Sequence, residues 1–190
     1  MADSLLKSGF HFREGEFNLP LIYYNNHIIT IERSILKKGH IGFKVAPYQQ
    51  LDHQRTLHSS FHREADWAGF YVAKTKNVAA GYRVDYQHPY GHTVTLIHDL
   101  KVLICKGPEL ENSCITGFAK ARMIIDALPE DMKTSVIKLN SPLIPALGRL
   151  GFCYQGPHDD EGGIEIVIPN KLTHLVSLKM KIDFGVNKYF

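Results

Sequence analysis

Trp67-Ala-Gly-Phe-Tyr71-Val-Ala-Lys-Thr-Lys-Asn77-Val-Ala-Ala-Gly81-Tyr82 is the most informative stretch of the chain. The run from Trp67 to Ala73 is apolar and aromatic and reads as a strand. Asn77 then reads as the cap of a short helix through Tyr82. On this reading Tyr71 stands at the exit of the strand and the helix returns Tyr82 to its neighbourhood. Two rings brought together in this way sandwich a flat ring, with stacking worth roughly 0.5–1.5 kcal/mol beyond area burial. The alternative for both tyrosines is a place in the core or at its rim.

Outward from this stretch the chain reads as one domain over residues 1–190, with residues 1–20 a loop-rich lead-in ending at Pro20. Leu21–Tyr24 reads as a short strand. Ile28 to Lys38 reads as a helix: Ile28, Ile31 and Ile35 share a face, Lys37 and Lys38 suit the negative end of its dipole, and Gly39 supplies the C-cap. The polar, histidine-rich segment Gln49–Asp66 reads as a long loop of the kind used for lids and recognition surfaces. Thr93–Ile104 reads as strand with a break near His98–Asp99, and Ile115–Leu128 as a helix halted by Pro129. The C-terminal third reads as β again. Ile164–Ile168 forms one strand, closed by Pro169. Val176, Leu178, Met180, Ile182 and Phe184 form another, alternating with polar residues at the period of a half-buried strand. Strands at both ends with helices between them give an α+β fold.

Composition narrows the class. Hydrophobic residues are 44% and charged residues 22% of 190, ordinary for a soluble globular chain. A net charge of +3 is too small to argue for nucleic acid by itself, and the eleven histidines are scattered without metal-ligand spacing. Three cysteines (Cys105, Cys114 and Cys153) are odd in number and widely spaced, which fits a reduced compartment and ordinary packing. No stretch reaches the roughly 20 apolar residues of a membrane span, and the start lacks a cleavable signal pattern. The expectation is a soluble, cytoplasmic protein.

Two further places carry candidate chemistry. In Gly162-Gly-Ile-Glu165-Ile-Val-Ile-Pro169 an ionisable carboxylate interrupts an Ile/Val strand. Burying it is costly unless it is paired, so it is either a cleft-lining catalytic group or the wet side chain of an edge strand. The preceding glycines allow a close backbone approach or form a turn. At Tyr24-Asn25-Asn26-His27, donors gather at the junction between the first strand and the first helix. They suit an amide or a ribose, and Asn26 equally suits helix capping.

Together these three places resemble the ADP-ribosyltransferases, specifically the class of diphtheria toxin, exotoxin A and the poly(ADP-ribose) polymerases. Trp67, Gly69, Phe70, Tyr71, Ala73, Ala79, Gly81 and Tyr82 match the exotoxin A tyrosine segment, and Asp159-Asp-Glu-Gly-Gly-Ile-Glu165 is similar to the class's late acidic-Gly-Gly segment before a catalytic Glu. The family's first signature, Tyr-His-Gly-Thr, aligns with Tyr24, Asn25, Asn26 and His27. The resemblance implies a split two-sheet fold with an NAD cleft between the sheets, and mono-ADP-ribosylation of a macromolecular acceptor, most often protein, with nucleic acid also open. It implies Glu165 as the catalytic residue. It places Tyr24, Asn25, Asn26, His27, Gly69, Tyr71 and Tyr82 around NAD as substrate, without a metal. Bare catalytic units of this kind resemble secreted toxins and effectors. Members that modify arginine usually carry Glu or Gln two residues before the catalytic Glu; Gly163 stands there and argues against a simple arginine acceptor. NAD glycohydrolysis and an inactive binding module of the same fold are the competing readings.

Overall fold

The computed structural model describes residues 10–14, 20–24, 29–46, 65–80, 90–106, 117–157 and 163–181. Ten strands lie in this part of the chain: β1 (Phe10–Glu14), β2 (Pro20–Tyr24), β3 (Thr30–Leu36), β4 (Gly39–Ala46), β5 (Gly69–Ala73), β6 (Tyr90–Leu96), β7 (Leu100–Lys106), β8 (Phe152–Pro157), β9 (Ile164–Pro169) and β10 (Val176–Lys181). Three helices, α1 (Gly117–Ala127), α2 (Glu130–Lys138) and α3 (Leu143–Arg149), fall between β7 and β8. The architecture is mixed α+β, as the element pattern predicts.

Strands β1 and β2 form an antiparallel pair of their own, and the other eight join in the order β10-β6-β4-β5-β9-β8-β7-β3. That order cannot lie flat. Leu96 ends β6 and Leu100 starts β7, and four chain steps span at most about 14 Å. In a flat sheet the same two strands stand five spacings apart, about 24 Å. The sheet therefore turns back on itself, so that β6 faces β7 across a shared interior. Val94, Leu96, Leu178 and Val176 on one side and Leu100, Val102, Cys153, Ile166 and Ile168 on the other form a single apolar cluster, with Phe70 and Val72 at the bend. The turn between β3 and β4 makes a second short crossing of the same kind. The two crossings are tied together by Asp99, which accepts from the Lys38 backbone N–H at 2.8 Å and from the Lys37 ammonium at 2.9 Å.

The bend falls between β4 and β5. Among the described residues these strands share one ladder pair, Phe43 with Ala73, whereas β4 pairs with β6 along its whole length. Gly42 lets the two strands meet there, because a Cβ at this position would run into the Ala73 carbonyl oxygen and the Val72 side chain. A β-bulge between His40 and Gly42 adds local bend and twist.

The outer face of the β5-β9-β8-β7 half is covered by the helices. Trp67, Leu103, Cys105, Tyr154 and Val167 pack there against Ala121, Ile124, Met132, Val136, Ile144 and Leu147. Asp66 caps α3: its Oδ1 accepts from the Leu143 backbone N–H at 2.9 Å, satisfying a donor that Pro142 has no side chain to meet.

Several expectations are corrected. Ile28–Lys38 is not a helix. Residues 30–36 are β3, paired along their length with β7, and Gly39 opens β4 with φ +130° rather than capping a helix. The i, i+3 spacing of the isoleucines is compatible with either structure; the β-branched content of Thr30, Ile31 and Ile35 and the open edge of β7 decide for strand. The lead-in is not all loop, since residues 10–14 form β1. Trp67 sits in a 3-10 turn (Ala65–Trp67), so the strand begins at Gly69. Nor is the C-terminal third purely β, because it contains α2 and α3. Pro142 and Pro145 both occupy the start of α3, where no helical N–H is lost. The predicted break at His98–Asp99, the helix ending before Pro129 and the β9 strand match the observed elements. The alternating run from Val176 is β10 as far as Lys181; residues 182–184 lie outside the described residues.

Candidate functional site around Glu165

Glu165 lies in β9, between β5 and β8, which removes the edge-strand reading. It is partly buried, while its neighbour Ile164 is 41% exposed on the opposite side of the strand. The ladder places Ala73 beside it on β5 and Gly156 beside it on β8. Residues directly opposite in a ladder share a face, so the outer-face row through Glu165 runs Phe43, Ala73, Glu165, Gly156. The two positions flanking the carboxylate thus carry a methyl group and a hydrogen. One row along the same face lie Tyr71, Val167 and Tyr154. Tyr154 leans back over Gly156, whose Cβ, if present, would meet the tyrosine hydroxyl.

Two apolar clusters stand on either side of this row. One is the helix-covered core containing Trp67, Tyr154 and Val167, with Tyr71 packed against it. The other is Val45, Ala73, Val78 and Ala79 with Phe43, built where the helical turn of residues 76–80 packs on the sheet. Glu165 belongs to neither and lies on the strip between them. Gly163 admits the turn, because a Cβ there would strike Val78.

Tyr71 is in mid-strand rather than at the strand's exit. It is partly buried, and its hydroxyl donates to the Trp67 carbonyl oxygen at 2.6 Å. It remains a diagonal neighbour of Glu165 on the same face, on the order of 7–8 Å away. The turn after β5 is capped by Thr75 rather than Asn77: the Val78 N–H donates to Thr75 Oγ1 at 3.4 Å and the Ala79 N–H to the Thr75 carbonyl at 3.2 Å. Asn77 lies inside the turn. Tyr82 lies outside the described residues, as do Asn25, Asn26 and His27, residues 49–64 of the Gln49–Asp66 segment, the acidic residues 159–161, Gly162 and Cys114. Tyr24 ends β2 opposite Phe10, and β2 lies against α1 on the outer side of the sheet. Gly69 is buried, and a Cβ there would come within 2.7 Å of Val167 Cγ1 and 3.2 Å of Ile144 Cγ2. Its close approach is to β9 and α3.

The sequence reading passed over Lys44. It is the one cation in the run Gly42-Phe-Lys-Val-Ala46, and the reasoning that singles out Glu165 in its strand applies equally to it. Lys44 is partly buried, and its Nζ donates to the Tyr71 carbonyl oxygen at 3.2 Å and lies 4.8 Å from the Phe70 ring centre. Burial pushes its pKa from the usual 10.5 down to about 8, and the Glu165 carboxylate opposes that shift. A second buried cation, Lys120 of α1, sits 5.4 Å from the Trp67 ring, and Trp67 meets Tyr154 edge-on at 5.4 Å.

Cys105 and Cys153 are free and buried, and burial raises both thiols, Cys153 to about 12. Neither is poised as a nucleophile. Among the described residues no three His, Cys, Asp or Glu side chains gather as a metal site, and no helix is long and apolar enough to cross a membrane. Comparison of the chain with known protein families and with curated proteins finds no match.

Proposed function

We propose that the protein is an ADP-ribosyltransferase that cleaves NAD to nicotinamide and transfers ADP-ribose to a macromolecular acceptor, most often protein. The observation that carries this reading is the shared outer-face position of Glu165 and Tyr71 on adjacent strands.

The residues divide the chemistry among themselves. Tyr71 and Tyr82 hold the nicotinamide ring. Tyr24, Asn25, Asn26 and His27 fix its amide and the adjacent ribose. Gly69 keeps the Tyr71 strand close against its neighbours. Glu165 binds the ribose hydroxyls and stabilises positive charge at the ribose as the bond to nicotinamide breaks. The acceptor then forms the new bond to that ribose carbon and gives up a proton. The negative charge of Glu165 is most useful in the charged transition state, so its contribution falls on turnover more than on binding.

The test is incubation of purified protein and its Glu165→Ala variant with NAD labelled in the adenosine half, with and without host-cell lysate. Nicotinamide release and transfer of label are scored together. Label on a lysate component with wild type alone supports the transferase. Nicotinamide release without transfer supports glycohydrolysis, and NAD binding without turnover an inactive module. Neither binding nor turnover overturns the family reading.

A further inference from the structure

Glycine at position 156 leaves room on the outer face of β8, and the side chain two residues earlier takes it. Tyr154 and Gly156 share that face because successive strand positions alternate. A Cβ built on Gly156 would lie 2.1 Å from the Tyr154 hydroxyl oxygen and 2.6 Å from the ring carbon that bears it. The phenol therefore runs along β8 and ends with its hydroxyl where a side chain at 156 would stand.

That place is directly beside Glu165. Gly156 and Glu165 are ladder partners on β8 and β9, and one row along the same face Tyr154 is the partner of Val167. The Cβ positions of directly opposed residues stand about 4.5–5.5 Å apart. Adding the 2.1 Å offset keeps the hydroxyl within about 8 Å of the Glu165 Cβ, and the carboxylate extends from that carbon. The other end of the phenol is fixed: Tyr154 is 2% exposed, and its ring meets Trp67 edge-on at 5.4 Å. A side chain packed this tightly holds one orientation. Cys105 of β7 also reaches the phenol. A thiol is a weak acceptor, so a carboxylate is the stronger claimant for the O–H.

We propose that Tyr154 is a positioning residue for Glu165: its hydroxyl, lodged in the room above Gly156, donates to the Glu165 carboxylate and fixes the direction in which that carboxylate faces. A neutral donor does this without cancelling the negative charge that stabilises a cationic ribose. Glycine at 156 is part of the arrangement, since a larger residue would displace the hydroxyl. The catalytic consequence rests on the ADP-ribosyltransferase reading, while the contact itself does not. Tyr154 acts through Glu165 and does not touch the reacting atoms.

Two measurements test this. The first is urea unfolding of full-length wild type, Tyr154→Phe, Glu165→Ala and the double variant, read as a double-mutant cycle. Tyr154→Phe should raise the unfolding equilibrium constant by roughly fivefold more in the wild-type background than in Glu165→Ala. Additivity overturns the contact, whatever the protein's activity. The second is nicotinamide release beside NAD binding. Tyr154→Phe should lower turnover by roughly tenfold and leave NAD affinity within about twofold, because a mis-aimed carboxylate costs the transition state more than the ground state. A purely structural role would not separate the two. Gly156→Ala keeps the phenol but puts a Cβ in the hydroxyl's place, so it should repeat both results. It stands in for Tyr154→Phe if that variant does not fold. Wild-type turnover in either variant overturns the positioning role. Absence of nicotinamide release from wild type indicts the ADP-ribosyltransferase reading instead, and the cycle still decides the contact.

Discussion

Lys44 Nζ donates to the carbonyl oxygen of Tyr71 at 3.2 Å, across the seam where, among the described residues, β4 and β5 share a single ladder pair. Lys44 thereby replaces a missing strand–strand hydrogen bond with a charge-assisted one.

Burial of that ammonium makes stability depend on pH in a direction unusual for lysine. The folded-state pKa, about 8, lies below the usual 10.5, so between those values the unfolded chain binds more protons and stability rises with pH. The penalty for burying the charge is fully present below about 8 and is relieved towards 10.5. Relative to Lys44→Met, wild type should gain on the order of 1–3 kcal/mol across that window. Urea unfolding of both proteins at several pH values from 7 to 10.5 checks it.

Glu165→Gln should lower nicotinamide release by roughly 10²–10³, the cost of removing a preorganised electrostatic group, while NAD affinity changes much less. Single-turnover kinetics beside calorimetric NAD binding separates the two effects. Equal losses in affinity and turnover would assign Glu165 to uniform binding instead.

Gly42→Ala should destabilise the fold by about 1–3 kcal/mol, the usual range for forcing atoms into a packed site. The added Cβ meets the Ala73 carbonyl, which is backbone and cannot rotate away. It would also push β4 from β5 and lengthen the Lys44–Tyr71 contact, so the Lys44 titration should shift in the same variant. Gly39→Ala is the comparison: nothing lies within 4 Å of its Cβ, so its cost comes from backbone conformation at φ +130° alone.

Asp99 should matter to the short crossings rather than to the site. Its carboxyl is held below the usual 3.8 by the Lys38 backbone N–H first and by Lys37 second. The stability it contributes is therefore present above about 3.8 and lost as pH falls through the lower folded-state value. The difference in melting temperature between wild type and Asp99→Ala should be positive at neutral pH and shrink towards zero in acid. Most of it should survive added salt, because the leading partner is an uncharged N–H.

Cys105 and Cys153 should resist alkylation in the native protein at pH 8, since burial raises both thiols and excludes reagent. Mass mapping after brief iodoacetamide treatment, with and without urea, would show this. Rapid native labelling of Cys153 would contradict its placement in the sheet interior.

What the sequence alone determined was local. Period-two alternation marked β10, Pro129 marked the end of α1, and an isolated carboxylate in an apolar run marked Glu165, because each signal depends only on neighbours along the chain. Tertiary structure decided everything that depends on partners distant in sequence. Residues 30–36 became strand because β7 offered an edge, and Pro142 and Pro145 began a helix because Asp66 supplied its cap. Lys44 carries the same local signal as Glu165, a charge in an apolar run, but nothing in its own strand announces the Tyr71 carbonyl that seats it. The short crossings Leu96–Leu100 and Leu36–Gly39 force the sheet to turn back on itself, and that closure packs Val94 and Leu96 of β6 against Leu100 and Val102 of β7.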